Sequence, residues 1–512
     1  MSKKTKQNQN RPPDTNGVTR SPQSGDQHRT RWRLACILPA FTVLAASFLF
    51  PANRIHEDEI YWIGSSYYYQ LAVVEGDASN PDWQLLPARE NPVLGKYVIG
   101  LALQIAGHPV TTPDLLGSFY LIFANIPNAW GSGEAFEKRL AVATRVNPSM
   151  RDSIRSGQAL PLEDSQLVTT RRTVLIFGMF AAIGIAVLGQ QCHWKTGGLL
   201  AGFLFSLHPI VIDACSLAMI DIIAITFSIW FMVGIVQILG VTVNPSVETS
   251  SKQHSQKDTV KSTFAKPINP VIRRQWLQRA STTLFTGIML AFACGSKMNS
   301  LVVAATATAC GTWYVARLLQ QRFQLHSALR KNKMIAGDET PSLSVGFMTV
   351  NTQVTMLVMV AIIAVFFFIG SNPTLYGDPI DGVRALSYEH NLTADIQEVM
   401  LGGRLHNISD KVQALAGLVC GGPIAFTLLC LIVAWSAFDC IRKQSVGIVI
   451  VLWWSMALLL LIMWMPFAWE RYTLPIIPPT MLIVGAVAER IGYWMWSKWI
   501  SPHRGVASTA AP

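Results

Sequence analysis

The strongest constraint on the fold of this chain is a series of apolar blocks, each long enough to cross a bilayer and separated from the next by polar residues. A transmembrane helix needs about 20 predominantly apolar residues. Of the 512 residues, 51% are hydrophobic and only 14% are charged, and the mean hydropathy is +0.33. These features predict an all-α fold, a polytopic transmembrane helical bundle.

The apolar blocks predict about 12 spans, within a range of about 11 to 13. The first block covers about residues 33–51, and a weaker candidate covers 114–130. Without the weaker candidate the count is odd, which would place the two basic termini on opposite sides of the membrane. A re-entrant or split segment would remove the same conflict. The clear blocks after the first lie at roughly 93–107, 173–189, 197–212, 218–241, 282–296, 299–316, 349–369, 412–438, 446–465 and 473–491.

Charge alternates in sign between the polar segments. Residues 242–281 carry seven Lys or Arg and two acids, whereas 52–92 carry two Arg and seven acids and 370–411 carry three basic residues and six acids. Because Lys and Arg concentrate in cytoplasmic loops, 242–281 and 317–348 are predicted to be cytoplasmic and the two acidic loops exoplasmic. Topology thus explains the net charge of +11, which argues against a nucleic-acid-binding protein.

The same pattern predicts the domain organisation. No polar segment is long enough for a separate soluble domain, and the eight cysteines lie in or beside apolar blocks without metal-ligand spacing, as expected of small buried hydrophobes. The predicted parts are a disordered cytoplasmic tail at 1–32, one multispan domain at 33–495 with its first outer loop at 52–92, cytoplasmic linker at 242–281 and second outer loop at 370–411, and a cytoplasmic tail at 496–512.

An acidic cluster opens the first outer loop, directly after His56. Residues 57–75 are predicted to form an amphipathic helix crowded with Tyr and Trp, which favour the membrane–water interface. At the start of that helix, free backbone N–H groups favour an ionised Asp58. An ionised aspartate there could take a proton from an acceptor hydroxyl or amine as a general base. The alternative is an ordinary solvated helix start.

Four further ionisable residues, Lys96, Asp221, Lys297 and Arg471, interrupt or border the apolar blocks. Ionisable groups at membrane depth are costly and usually mark a site or a pathway. An Arg suits bidentate phosphate binding, and a Lys at the outer end of a span could meet a lipid phosphate. Each also has an ordinary alternative: the Asp and Lys of the central spans could lie in turns, and the other two residues could anchor helix ends by snorkelling.

Six short motifs follow one another along the chain. They are Asp58-Glu59, Asn-Pro-Val-Leu-Gly-Lys96, Ala-Met-Ile-Asp221, Gly-Ser-Lys297-Met, Ser371-Asn-Pro-Thr-Leu-Tyr-Gly-Asp-Pro379 and Arg471-Tyr-Thr-Leu-Pro475. In this order they resemble the motifs of the C-type (GT-C) membrane glycosyltransferases. The resemblance runs from about residue 33 to 491 and is nearest to the protein O-mannosyltransferase and aminoarabinose-transferase branch, which is glycosyltransferase family 39-like. Members often have His-Pro-Pro-Leu-Gly-Lys where this chain has Asn91 and Val93.

The resemblance implies an integral-membrane enzyme of the plasma, inner or endoplasmic reticulum membrane with an exoplasmic active site. Such an enzyme takes a sugar from a polyprenyl-phosphate donor and transfers it, with inversion, to a protein, lipid or glycan acceptor. It implies no cofactor; a divalent metal is compatible with the acidic cluster but is not indicated. The residues that match family positions are Asp58, Glu59 and Asp221 as catalytic acids and Lys96, Lys297 and Arg471 as ligands of the donor phosphate.

Two other classes of protein remain open on the sequence alone. In a transporter or lipid flippase, intramembrane Asp and Lys residues would form a substrate or ion relay. No inverted repeat is visible in the chain, and the charged residues are predicted to gather on one face, which favours the enzyme. A membrane scaffold without enzymatic activity would have no need of these charges.

Overall fold

Helices make up the regular structure of the residues that the computed structural model describes, which are 32–52, 55–116, 162–240, 270–333, 344–401, 403–443 and 445–500. Within these ranges the only strand-like feature is an isolated bridge between Arg404 and Phe467. The helices of eight or more residues are α1 (Leu38–Leu49), α2 (Glu57–Ser65), α3 (Leu94–Ala106), α4 (Asp164–Gln191), α5 (Lys195–Ser206), α6 (Pro209–Ser216), α7 (Asp221–Gly240), α8 (Pro270–Ser296), α9 (Leu301–Lys333), α10 (Ser344–Ser371), α11 (Pro379–Leu401), α12 (Ile408–Cys420), α13 (Pro423–Arg442), α14 (Ile448–Trp464) and α15 (Ile477–Met495).

Shorter helical segments lie between them in both outer loops and before α15. They are Tyr67–Tyr69, Gln70–Val74, Pro81–Gln84, Leu86–Glu90, Met298–Ser300, Pro373–Leu375, Glu470–Thr473 and Leu474–Ile476, with Trp496–Ile500 at the end of the described chain.

Several helices are long and apolar enough to cross a membrane, which confirms the prediction of an all-α polytopic membrane protein. Six such helices lie within the described ranges, or up to seven if α5 and α6 form one bent span. Other predicted spans fall on the shorter apolar helices α3 and α14. The six are Trp32–Leu49, Asp164–Gln191, Asp221–Gly240, Thr352–Ser371, Pro423–Arg442 and Glu470–Trp499.

Two predicted spans differ in the structure, and a third candidate lies almost entirely outside the described residues. The block at 412–438 is two helices, because Gly421 adopts the left-handed conformation with φ +74° and ends α12, a position that favours glycine. The block at 197–212 bends by 60° between α5 and α6, where Pro209 begins a new helix. Of the candidate at 114–130, all but the first residues lie outside the described part of the chain.

Helix α7 is the centre of the bundle. Nearly all of its side chains are buried, as expected of a helix that is apolar on every face. It packs closely against α4 and α8. A Cβ atom added at Gly234 would lie only 2.1 Å from the hydroxyl oxygen of Thr286 in α8, so the two helices approach too closely there for any larger residue. This packing positions the first residue of α7 beside the end of α8.

Helix α8 has positively charged residues near both of its ends. Lys297 follows the last residue of α8, and the basic residues Arg273 and Arg274 lie in its first turns, roughly 35 Å away at a rise of 1.5 Å per residue. Of the predicted linker at 242–281, the residues from Pro270 onward belong to α8, and those before it lie outside the described part of the chain. Likewise α9 continues through the predicted loop 317–348 as far as Lys333.

The first outer loop folds on itself. Helix α2 forms as predicted, and the helical path continues beyond Ser66 to Val74. The aromatic side chains were expected at the membrane–water interface, but most are buried inside the loop. The Tyr67 hydroxyl donates to the Asp82 carboxylate at 2.9 Å, and the Tyr68 and Trp83 rings lie 5.1 Å apart. The reason is that the loop is long enough to provide its own apolar core.

Candidate active site

Asp58 and Arg471 form an ion pair between two distant parts of the chain. Asp58 lies in the first turn of α2, where its backbone N–H donates to Nδ1 of His56 at 3.1 Å. The guanidinium of Arg471 lies over the Trp469 ring, 4.4 Å from its centroid. The two charged side chains keep 19% and 22% of their surface exposed, so the pair is held in place and still accessible.

Asp221 and Lys297 form a second, more deeply buried ion pair. Asp221 is the first residue of α7, and its Oδ1 accepts from the ammonium of Lys297. Its Oδ2 is buried without a hydrogen-bond partner among the described residues. The side chains are only 4% and 10% exposed. An unpartnered buried carboxylate oxygen is costly, so this position is suited to a group that binds there.

The two ion pairs belong to one site. Lys297 is close enough to interact electrostatically with Arg471 and Asp58, and Arg471 interacts in the same way with Asp221. Trp62 lies one helical turn after Asp58 in α2, and its ring is 5.9 Å from the Lys297 ammonium. Two acids and two bases from four separate elements therefore meet at one end of an apolar bundle.

Glu59 faces away from this site. Its carboxylate accepts two hydrogen bonds from Arg171, at 2.8 and 2.7 Å, and one from the backbone N–H of Ala218 at 2.7 Å. It also caps α2 by accepting from the backbone N–H of His56 at 2.8 Å. With both oxygens occupied and the residue fully buried, Glu59 joins α2 to α4 and to the segment before α7.

Lys96 is also buried, and its contacts lie within the first outer loop. Its ammonium donates to the backbone carbonyl of Asn91 at 2.9 Å and to that of Pro87. The nitrogen lies 6.0 Å and 5.8 Å from the ring centroids of Trp62 and Tyr68. These contacts hold the end of the loop against α3.

Sequence reasoning missed Glu90 and Arg171. Glu90 ends the short helix Leu86–Glu90 and accepts a hydrogen bond from the Tyr61 hydroxyl at 2.7 Å. Burial raises the pKa of the Glu90 carboxyl; the negative charge of Asp58 raises it further, while the Tyr61 hydrogen bond and the Lys96 charge oppose the shift. The sequence contains a signal for each residue: Glu90 directly precedes the Asn91-Pro motif, and Arg171 is one of two adjacent arginines that precede the apolar part of α4.

A cleft of about 420 Å³ lies between the two outer loops. Arg89 and Asn80 line it on the side of the first loop, and Thr374, Asp378 and Asp381 line it on the side of the second. Hydrogen bonds hold both ends of the second outer loop in place. The side-chain amide oxygen of Asn372 accepts from the backbone N–H of Val93 at 3.2 Å, and the backbone N–H of Leu405 donates to the backbone carbonyl of Pro466 at 2.7 Å.

No group of three or more His, Cys, Asp or Glu side chains within the described ranges is arranged to hold a metal ion. The ion pairs instead place each carboxylate of the site against a cation. Carboxylates can transfer protons, and the Lys and Arg side chains beside them can bind an anion.

The similarity of this chain to known proteins is limited. No family model matches the chain, and no curated protein matches it. Among solved structures it is similar to the crystal structure of the Archaeoglobus fulgidus oligosaccharyltransferase in complex with Zn and sulfate, with 12% sequence identity and a TM-score of 0.42. The match covers 93% of this chain and 51% of that one, so the chain spans about half the length of the archaeal protein.

Proposed function

We propose that this chain is an integral-membrane glycosyltransferase that moves a sugar from a polyprenyl-phosphate donor to an acceptor on the exoplasmic face. The observation that carries the proposal is the meeting of the Asp58–Arg471 and Asp221–Lys297 pairs at one end of an apolar bundle. Charges at such depth are costly and are retained chiefly for function. A donor with a lipid tail, an anionic phosphate and a polar sugar matches that combination of surfaces.

The two cations would bind the donor phosphate. Arg471 offers a planar guanidinium for two phosphate oxygens, and Lys297 offers a compact charge from the other side. Because each cation is paired with a carboxylate, phosphate binding would compete with those carboxylates. The Asp58 carboxylate, released from Arg471, would then be free to act as a base.

The reaction is a single displacement. Asp58 takes the proton of the acceptor hydroxyl or amine, and the acceptor's electron pair forms a bond to the anomeric carbon. The bond from that carbon to the phosphate oxygen breaks, and the electron pair leaves on the polyprenyl phosphate. Lys297 and Arg471 stabilise the developing phosphate charge, and attack opposite the leaving group inverts the anomeric centre.

The remaining predicted site residues would position this machinery. Asp221 holds Lys297, and its unpartnered oxygen faces the same cluster. Glu59 fixes α2 against α4 through Arg171, and Lys96 fixes the end of the first outer loop. The cleft between the outer loops is where we place the acceptor, a protein, lipid or glycan. Its carboxylates, guanidinium and amide are groups that hydrogen-bond polar ligands.

The decisive experiment incubates the purified full chain in lipid nanodiscs with a panel of radiolabelled polyprenyl-phosphate sugars. Release of free polyprenyl phosphate, dependent on Asp58, is the expected result. The rival is a lipid flippase, which would move the same donor across proteoliposomes without cleaving it. If the donor stays intact in every reaction and moves across the bilayer, the chain is a transporter and the proposed enzymatic function is wrong.

Arg471→Lys distinguishes phosphate binding from simple anchoring. The substitution keeps the charge but loses the planar fork, so donor affinity should fall by about tenfold, or roughly 1.4 kcal/mol, while the thermal midpoint barely changes. Titration of the donor against purified protein measures the effect. Arg490→Lys, at the opposite end of the same helical region, is the matched control and should leave donor affinity unchanged. Equal affinity in the wild type and Arg471→Lys would remove Arg471 from the phosphate site.

A further inference from the structure

Glu90 links the outer-loop cleft to the helix that carries Asp58. Arg89, the residue before it, lines the cleft, and the Glu90 carboxylate accepts from the Tyr61 hydroxyl of α2 at 2.7 Å. Tyr61 follows Asp58 by three residues in α2, so both side chains are on the same face of that helix. Glu90 is close enough to Asp58 and Arg471 to interact electrostatically with both.

On the basis of the proposed glycosyl transfer, we propose that Glu90 and Asp58 form a proton-sharing pair of carboxylates. In this pair Glu90 holds the proton that the acceptor loses. Two neighbouring carboxylates resist being ionised together, so they bind one proton more readily than either would alone. Glu90 is suited to keep the proton because it is partly buried, whereas Arg471 stabilises the charged form of Asp58.

Proton and electrons balance in this scheme. The acceptor's O–H or N–H bond breaks, the proton passes through the Asp58 carboxylate to a Glu90 oxygen, and the acceptor's electron pair forms the new glycosidic bond. The C–O bond to phosphate breaks, with its electron pair on the leaving phosphate. Glu90 returns the proton to solvent through the cleft when the product leaves, which restores the starting state.

The scheme predicts a specific pH dependence. Several groups face Glu90: Tyr61 and Asp58 from α2, Lys96 from α3, and Arg471 and Tyr472 from the segment before α15. A proton acceptor must be ionised, and the pKa of Glu90 is raised, so the rate should rise with pH above the range of an ordinary glutamate. The Tyr61 hydrogen bond lowers that pKa. Tyr61→Phe should therefore move the rise to higher pH.

The test compares wild type, Glu90→Gln and Tyr61→Phe in nanodiscs with a polyprenyl-phosphate mannose as the probe. Glutamine can still accept from Tyr61, so Glu90→Gln should fold; we expect its turnover to fall about 10²-fold and the pH-dependent rise to disappear. The control Glu75→Gln changes an exposed glutamate of the same loop and should match the wild type. An equal loss of rate at all pH values in both test variants would reduce Glu90 to a structural role.

A second measurement keeps this inference separate from the proposed function. Infrared titration of the substrate-free protein should show a carboxylic-acid carbonyl band that persists above the pH at which ordinary glutamates ionise. The band should be absent from Glu90→Gln and should persist to higher pH in Tyr61→Phe. If no donor is cleaved but the band behaves in this way, the proposed reaction fails while the proton-holding pair stands. If the donor is cleaved and the wild type shows no such band, the proposed Asp58–Glu90 proton-sharing pair is wrong and the proposed reaction stands.

Discussion

Asp58→Asn should reduce glycosyl transfer by about 10²-fold or more, the usual scale for loss of a general base, while the protein stays folded and inserted in the membrane. The amide can still accept a hydrogen bond from Arg471, so the link between α2 and the segment after α14 persists. Because Asn carries no charge, Arg471 would lose its competing carboxylate. Donor affinity should therefore be equal to that of the wild type or higher.

The combination of slow transfer with undiminished donor binding separates two roles for Asp58. A residue that serves only to position Arg471 would, when changed, weaken donor binding along with turnover. Turnover of donor in nanodiscs and equilibrium donor titration measure the two effects independently. Asp77→Asn is the matched control, because Asp77 is a half-buried acid of the same outer loop that accepts hydrogen bonds from Ser79 within its own turn. Near-normal turnover in well-folded Asp58→Asn would exclude it as the base.

Lys297→Met should destabilise the protein by about 3–5 kcal/mol, the cost of leaving one partner of a buried ion pair without the other. Asp221 would remain in the bundle with no cation beside it, since both of its side-chain oxygens are buried at the start of α7. The double variant Asp221→Asn with Lys297→Met removes both charges, and it should recover most of the lost stability.

The double variant also separates stability from donor binding. If Lys297 binds the donor phosphate, the double variant should unfold like the wild type yet bind donor at least tenfold more weakly. Asp221→Asn alone keeps the cation and should bind donor normally. Unfolding in mixed detergent micelles and donor titration provide the two readouts. The control Lys443→Met removes an ion pair with Asp439 in which the Lys side chain is 62% exposed, and it should cost no more than about 1 kcal/mol. Normal donor binding by a stable double variant would make the Asp221–Lys297 pair purely structural.

The sequence was informative about which residues carry charge at the end of the bundle, and less so about what each one does. Asp58 and Glu59 are adjacent and looked equivalent, yet one faces Arg471 and the other faces Arg171. Successive residues of a helix point about 100° apart, so neighbours in sequence contact different partners. Lys96 was expected near a lipid phosphate, but the fold of the first outer loop surrounds it with backbone carbonyls and aromatic rings.

The amino-acid sequence by itself determined that the chain is an all-α membrane protein and predicted that its acidic and basic segments lie on opposite sides. Both follow from properties that accumulate along the chain, namely the length of apolar blocks and the excess of one charge over the other. Only the tertiary structure decided which charges meet. Asp58 and Arg471 are 413 residues apart, and their pairing depends on the order of helices around the bundle. Hydrophobic periodicity does not encode that order, because in α7 nearly every face is apolar and buried.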